Sequence, residues 1–232
     1  MAIQKDTQYI GTVDNLIYYK WMNLYCIRTV PSGMRQTEAT KRAAINFGKV
    51  SSRSKILRNY FMRFIGAPRN KEMQKQLKKA LLASIQFMES GAGEMANHPL
   101  NGFHFNEALS LEQSLGFKLN ISEQAAGAFQ VDIPAINPAK LIKFPPGTNR
   151  LQLEMQAVSF SFTHEETYSG TPVFLNIPYS DNNQPSVAVE VSTWYTEPCI
   201  VLLAVSLSYW QEDKRINNTG YNPTEIIAVS LA

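Results

Sequence analysis

The 232 residues are 44% hydrophobic and 18% charged, globular proportions that exclude a disordered chain and allow one large domain or two small ones. No stretch reaches the roughly 18 apolar residues of a membrane helix, and MAIQKDTQYIGTVDN lacks the parts of a secretory signal, so the cytoplasm, or a particle assembled there, is the expected setting. The net charge of +3 hides a division: residues 28–81 hold fourteen Lys or Arg against Glu38 and Glu72, a net +12, whereas residues 82–232 hold six basic and fifteen acidic residues, a net −9.

In chain order, LIYYKW (16–21) and LYCIRTV (24–30) are aromatic and β-branched runs separated by Met22 and Asn23, which predicts a β-hairpin with a two-residue loop. Alternation puts Ile17, Tyr19 and Trp21 on one face and Leu16, Tyr18 and Lys20 on the other. Both faces carry apolar bulk, and a lone hairpin is marginal in water, so this one needs a cover from its own chain or from another molecule. Pro31, Ser32 and Gly33 break the strand, and Thr37 or Thr40 can cap a following helix. Ala43, Phe47, Val50, Ser54, Leu57, Phe61 and Phe64 form its apolar stripe, with most of the cations off it and a weak point at 48–52. Gly66-Ala67-Pro68 is the expected turn to a second helix, capped by Asn70, striped by Met73, Leu77, Leu81, Ile85 and Met88, and stopped by Gly91. Residues 93–115 read as a connector.

Beyond residue 116 the period changes. Residues 129–133, 151–162, 173–177, 186–193, 199–209 and 225–231 are strand-like, several of them separated by polar turns such as SDNNQP and INNTGYNP. Leu151, Leu153 and Met155 alternate with Gln152, Glu154 and Gln156, which predicts one wet face, while CIVLLAV reads as buried on both. The expected fold class is α+β: an N-terminal β-hairpin and basic helical region over 1–92, a connector over 93–115, and an antiparallel β-sandwich, Ig-like or jelly-roll-like, over 116–232.

Motifs for chemistry are lacking. Cys26 and Cys199 are far apart and form no CxxC pair, so they read as ordinary thiols. The spacing of His98 and His104 fits no zinc site, and His164-Glu165-Glu166 reads as a solvated turn. NIS (120–122) and NNT (217–219) match glycan acceptors in form only. P-loop, dinucleotide and nucleophile-elbow signatures do not occur, so the chain reads as non-enzymatic, with no catalytic, cofactor-binding or metal residue assigned.

Gly11, Val13, Asn15, Tyr19, Lys20, Trp21, Arg28 and Pro31 form a G.V.N…YKW…R..P pattern followed by a Thr-rich basic helix, and VDIPAINPAKLIKFPPGTNRLQL opens the β-rich half. In these features the chain resembles a group of uncharacterised proteins from Bacteroidota genomes and related mobile elements. The resemblance implies an architecture and a genomic setting, and no activity.

Three functions follow as expectations. The first is a structural, self-assembling protein that forms homo-oligomers or filaments through strand addition and charge complementarity, with Tyr18, Tyr19, Trp21 and Tyr25 as the contact. The second is nucleic-acid binding through Lys41, Arg42, Lys49, Arg53 and Arg58. The third is a carbohydrate- or peptide-binding sandwich using Trp194, Tyr195 and Trp210.

Overall fold

The computed structural model describes residues 2–5, 8–33, 36–62, 70–91, 94–106, 110–164, 166–216 and 222–232, and the chain divides into two compact units, 1–44 and 45–232. The first unit is an antiparallel meander of four strands in chain order, β1 (Ala2–Lys5), β2 (Gln8–Val13), β3 (Leu16–Trp21) and β4 (Leu24–Thr29). The expected hairpin is β3–β4. Trp21 pairs with Leu24, which leaves Met22 and Asn23 as the loop. Met22 adopts φ 54°, a left-handed conformation that costs a non-glycine residue roughly 1–2 kcal/mol.

The first helix, α1 (Glu38–Tyr60), starts where Thr37 Oγ1 accepts the Thr40 amide at 3.2 Å and is unbroken across 48–52. Its stripe is buried only at its C-terminal end: Val50, Ser54, Leu57 and Phe61 are covered, whereas Ala43 and Phe47 are exposed. Phe64 and the Gly66-Ala67-Pro68 turn lie outside the described residues. The second helix, α2 (Lys71–Ser90), has the expected ends. Asn70 accepts the amides of Glu72 and Met73, and Gly91 closes the helix at φ 61°.

Next come α3 (Leu111–Leu115), with a Ser110–Gln113 capping box, and α4 (Pro138–Leu141). Nine strands are described in this half, three more than the six runs read from the sequence: β5 (Asn120–Ala125), β6 (Ala128–Ile133), β7 (Arg150–Phe160), β8 (Thr167–Ser169), β9 (Val173–Pro178), β10 (Val187–Ser192), β11 (Ile200–Gln211), β12 (Lys214–Ile216) and β13 (Thr224–Leu231). The antiparallel ladder between β7 and β11 is the centre. β8 and β9 flank β7, β12 and β13 flank β11, and a second sheet runs β10-β6-β5.

Side-chain alternation explains the layers. Leu151, Leu153 and Met155 of β7 and Val201, Leu203, Val205 and Leu207 of β11 point to one face, where they share a core with Phe129, Val131, Ile133 and Val191 of the smaller sheet. Val158, Phe160, Ile200, Leu202 and Ala204 point the opposite way and pack with Val50, Leu57 and Phe61 of the first helical segment and Leu77, Leu81 and Ile85 of α2. Each such buried side chain contributes roughly 1.5–3 kcal/mol. This is why CIVLLAV is apolar throughout.

Two expectations change as a result. From Ile45 onward the helical segment is grouped with the β-rich half, because the buried stripes find cover on β7 and β11, while residues 38–44 of α1 fall in the first unit. The wet face predicted for β7 is covered at Glu154 and Gln156, each only 5% exposed. Gln156 Nε2 donates to Ser169 Oγ at 2.6 Å and to the Gly170 carbonyl at 3.1 Å, so its amide nitrogen finds acceptors inside the protein.

Candidate assembly surface

Register defines the two faces of the N-terminal sheet, because directly paired residues share a side. Tyr18 pairs with Ile27 and Gly11, Lys20 with Tyr25, and Leu16 with Val13; Tyr9, two residues from Gly11, joins this face with its ring 5.9 Å from that of Tyr18. The opposite face carries Ile17 paired with Arg28 and Thr12, Tyr19 with Cys26, and Trp21 with Leu24, while Ile10 falls there by alternation. The four aromatic residues expected to act together are therefore split, Tyr18 and Tyr25 on one side, Tyr19 and Trp21 on the other.

Both sides are apolar and exposed. Trp21 is 62% exposed, and Tyr9, Val13, Tyr25 and Ile27 on one face and Ile10, Tyr19 and Leu24 on the other are also exposed. Tyr9, Ile10 and Val13 were not assigned from sequence, although YIGTV has the β-branched and aromatic character that could have marked a strand. Two cations are held over rings, one on each face: Lys20 Nζ lies 5.5 Å from the centre of Tyr25, and Arg28 Cζ 5.6 Å from that of Tyr19. From Gln8 to Thr29 the one carboxylate is Asp14, in the β2–β3 turn.

The outer edge is β4. Val30 donates to the Asn15 carbonyl at 2.6 Å, so the antiparallel alternation turns the backbone groups of Arg28, Cys26 and Leu24 toward β3 and those of Tyr25, Ile27 and Thr29 outward. No described strand occupies that edge. Within Leu24–Thr29 there is no proline, glycine or bulge, the devices that usually blunt an edge.

The cations assigned to a basic surface are not equivalent. Lys41, Arg42 and Lys49 are exposed, and Lys41 pairs with Glu38 at 2.7 Å. Arg53 is 7% exposed and donates to the His164 carbonyl. Half-buried Arg58 donates from Nε to the Ser54 carbonyl at 3.1 Å. The last two lie beside the buried stripe and serve packing.

Elsewhere, Trp194 is 82% exposed, while its carbonyl accepts the Ser159 hydroxyl at 2.6 Å; Tyr195 packs on Gly127, and Trp210 lies under the Arg150 guanidinium. The three aromatics assigned to a ligand platform thus differ in role, since only Trp194 projects. A cavity of about 340 Å³ lies beside α3, walled by Leu111, Leu115, Phe117, Ile121 and Ile227. Of the two carboxylates in its wall, Glu112 and Glu225, the second accepts the Leu111 amide at 3.3 Å and has His104 Nδ1 at 3.7 Å, so it serves the start of α3.

His98 is buried against Phe87, with Nδ1 accepting the Leu100 amide at 3.3 Å, and burial lowers its pKa to about 4. Burial also pushes the Cys199 thiol up from its ordinary value. Cys26 lies half-buried on the Trp21 face. His164 and Glu166 are exposed, with Glu166 accepting from Tyr168, while Glu165 and the NNT acceptor lie outside the described residues. No group of three metal-ligating side chains converges among the described residues, and no described helix is long and apolar enough to cross a membrane.

Comparison with known proteins finds no matching family model, no matching curated protein and no matching solved structure.

Proposed function

We propose that the protein is a non-enzymatic structural protein that self-assembles into homo-oligomers or filaments through its N-terminal sheet, in the cytoplasm or within an assembled particle. One observation carries this reading: a 44-residue unit presents large apolar side chains on both faces of a single sheet and leaves the β4 edge open. Strand addition at β4 supplies backbone hydrogen bonds, and the aromatic and branched side chains supply burial. The +12 and −9 segments steer one copy toward the next. Within this reading the two sheets of the second unit form a β-sandwich whose larger sheet has helices on its outer side.

Light scattering across protein and salt concentration tests it. Mass is expected to rise with protein concentration, and salt to weaken the charge-steered part. A strict monomer at high concentration and low salt removes the reading.

Exposed Lys41, Arg42 and Lys49 of α1 favour nucleic acid as a second reading. A salt-dependent mobility shift with single-stranded oligonucleotides supports it, and no shift at low salt eliminates it.

A further inference from the structure

We infer that the cavity beside α3 is a binding site for a small amine, an apolar body carrying one ammonium group that sits against Glu225. The inference goes beyond the assembly reading and does not depend on it, because the cavity lies entirely within the second unit.

Size and apolar wall come first. At about 340 Å³ the cavity falls in the range of small-molecule sites, about 300–1,000 Å³. Its apolar side includes Phe117, Ile121 and Ile227, which are half-buried: each packs against the core between the two sheets and keeps surface toward the cavity. Ile121 belongs to β5 and Ile227 to β13, so this wall stands largely on strands. An apolar body placed there gains roughly 25 cal/mol for each Å² removed from water.

The polar side selects what the body carries. The Leu111 amide and His104 Nδ1 both approach Glu225 at Oε2, so Oε1 takes no hydrogen bond among the described residues. The Glu225 side chain is only 17% exposed, and a carboxylate so covered is costly without a donor. Asn101, in the same wall, spends its side-chain nitrogen on the Ala96 carbonyl at 2.9 Å and leaves its oxygen as a further acceptor. Glu112 adds a second carboxylate and Lys118 one ammonium; both are exposed, and among the described residues neither pairs with the other or with Glu225. Two carboxylates against one ammonium leave the wall at −1, which a single bound ammonium neutralises. An anion of the same shape would meet the covered carboxylate first.

Isothermal titration calorimetry of the full chain with 2-phenylethylamine, 2-phenylethanol and phenylacetate tests this, because the three share a body and differ in head group. The amine is expected to bind about tenfold more tightly than the alcohol, the worth of one charge-assisted hydrogen bond, and phenylacetate least. Glu225→Gln keeps an acceptor for the Leu111 amide while removing the charge. It is expected to bring the amine down to the level of the alcohol and to leave the alcohol's affinity as it was. Ile227→Trp fills the cavity and is expected to abolish binding of both, with melting curves showing that each variant keeps its fold. Glu225→Gln decides alone where the larger side chain unfolds the protein.

Equal affinity for amine and alcohol overturns the inference, as does tightest binding by phenylacetate, which would make Lys118 the selecting charge. No saturable heat from the amine at millimolar concentration overturns it as well. A Glu225→Gln variant that keeps the amine's advantage takes Glu225 out of the site, and the proposal with it. A folded Ile227→Trp variant that binds the amine like the wild type places the binding elsewhere, with the same result.

Discussion

The β7–β11 pair and the N-terminal sheet use the same side-chain types to opposite ends. Both are antiparallel, and both are apolar on two faces. In β11 the two apolar faces have two covers, helices on one side and the β10-β6-β5 sheet on the other. In the N-terminal sheet, side chains of equal size stay exposed on each side. The difference teaches that apolar alternation on two faces does not by itself tell whether a strand finds both of its layers within its own unit.

The largest expected effect breaks the covered side of this comparison. Phe160 is 1% exposed, and its ring lies 5.4 Å from that of Phe162. Phe160→Ala is expected to cost about 3–5 kcal/mol in urea unfolding, the usual range for a buried phenylalanine.

A pH dependence probes the same helix layer. The folded-state pKa of His98, about 4, lies below its unfolded value near 6.5, so the unfolded chain takes up the proton first as pH falls. Stability is full above about pH 6.5 and declines as pH falls toward 4. His98→Phe is expected to flatten that slope, read from denaturation midpoints at several pH values. Asn70→Ala removes the acceptor for two amides at the start of α2 and is expected to cost about 1 kcal/mol.

The smallest effect on stability sharpens the comparison from the exposed side. Trp21→Ala is expected to change the unfolding free energy of the β-rich half by less than about 0.5 kcal/mol, as exposed substitutions generally do. Its consequence belongs in the association measurements.

What could be read from the sequence depended on how far local pattern decides structure. The β3–β4 hairpin, the capped ends of α2 and six long strands are visible because alternation, Asn70 and Gly91 act over a few residues. β1 and β2 escape because the polar KDTQ run separates them and hides their pairing. β5, β8 and β12 are edge strands and carry little apolar alternation. The burial of Glu154 and Gln156 is a tertiary effect, since a glutamine facing water and one facing Ser169 read alike. The same holds for Arg53, whose bond to the His164 carbonyl spans over a hundred positions. The surface itself was half legible: the aromatic residues were visible, but their division between two faces that both stay exposed required the register and the contacts.

The central ladder also sets an order of events. Phe160 of β7 pairs with Ile200 of β11, forty positions later, and until β11 emerges from synthesis the stripes of both helices lack their principal support. The N-terminal meander needs only strands adjacent in sequence, and contacts of such short range form fastest. On a growing chain its sheet is complete before the second unit can close. In the assembly proposed above, neighbouring chains on one message would meet first through their N-terminal sheets.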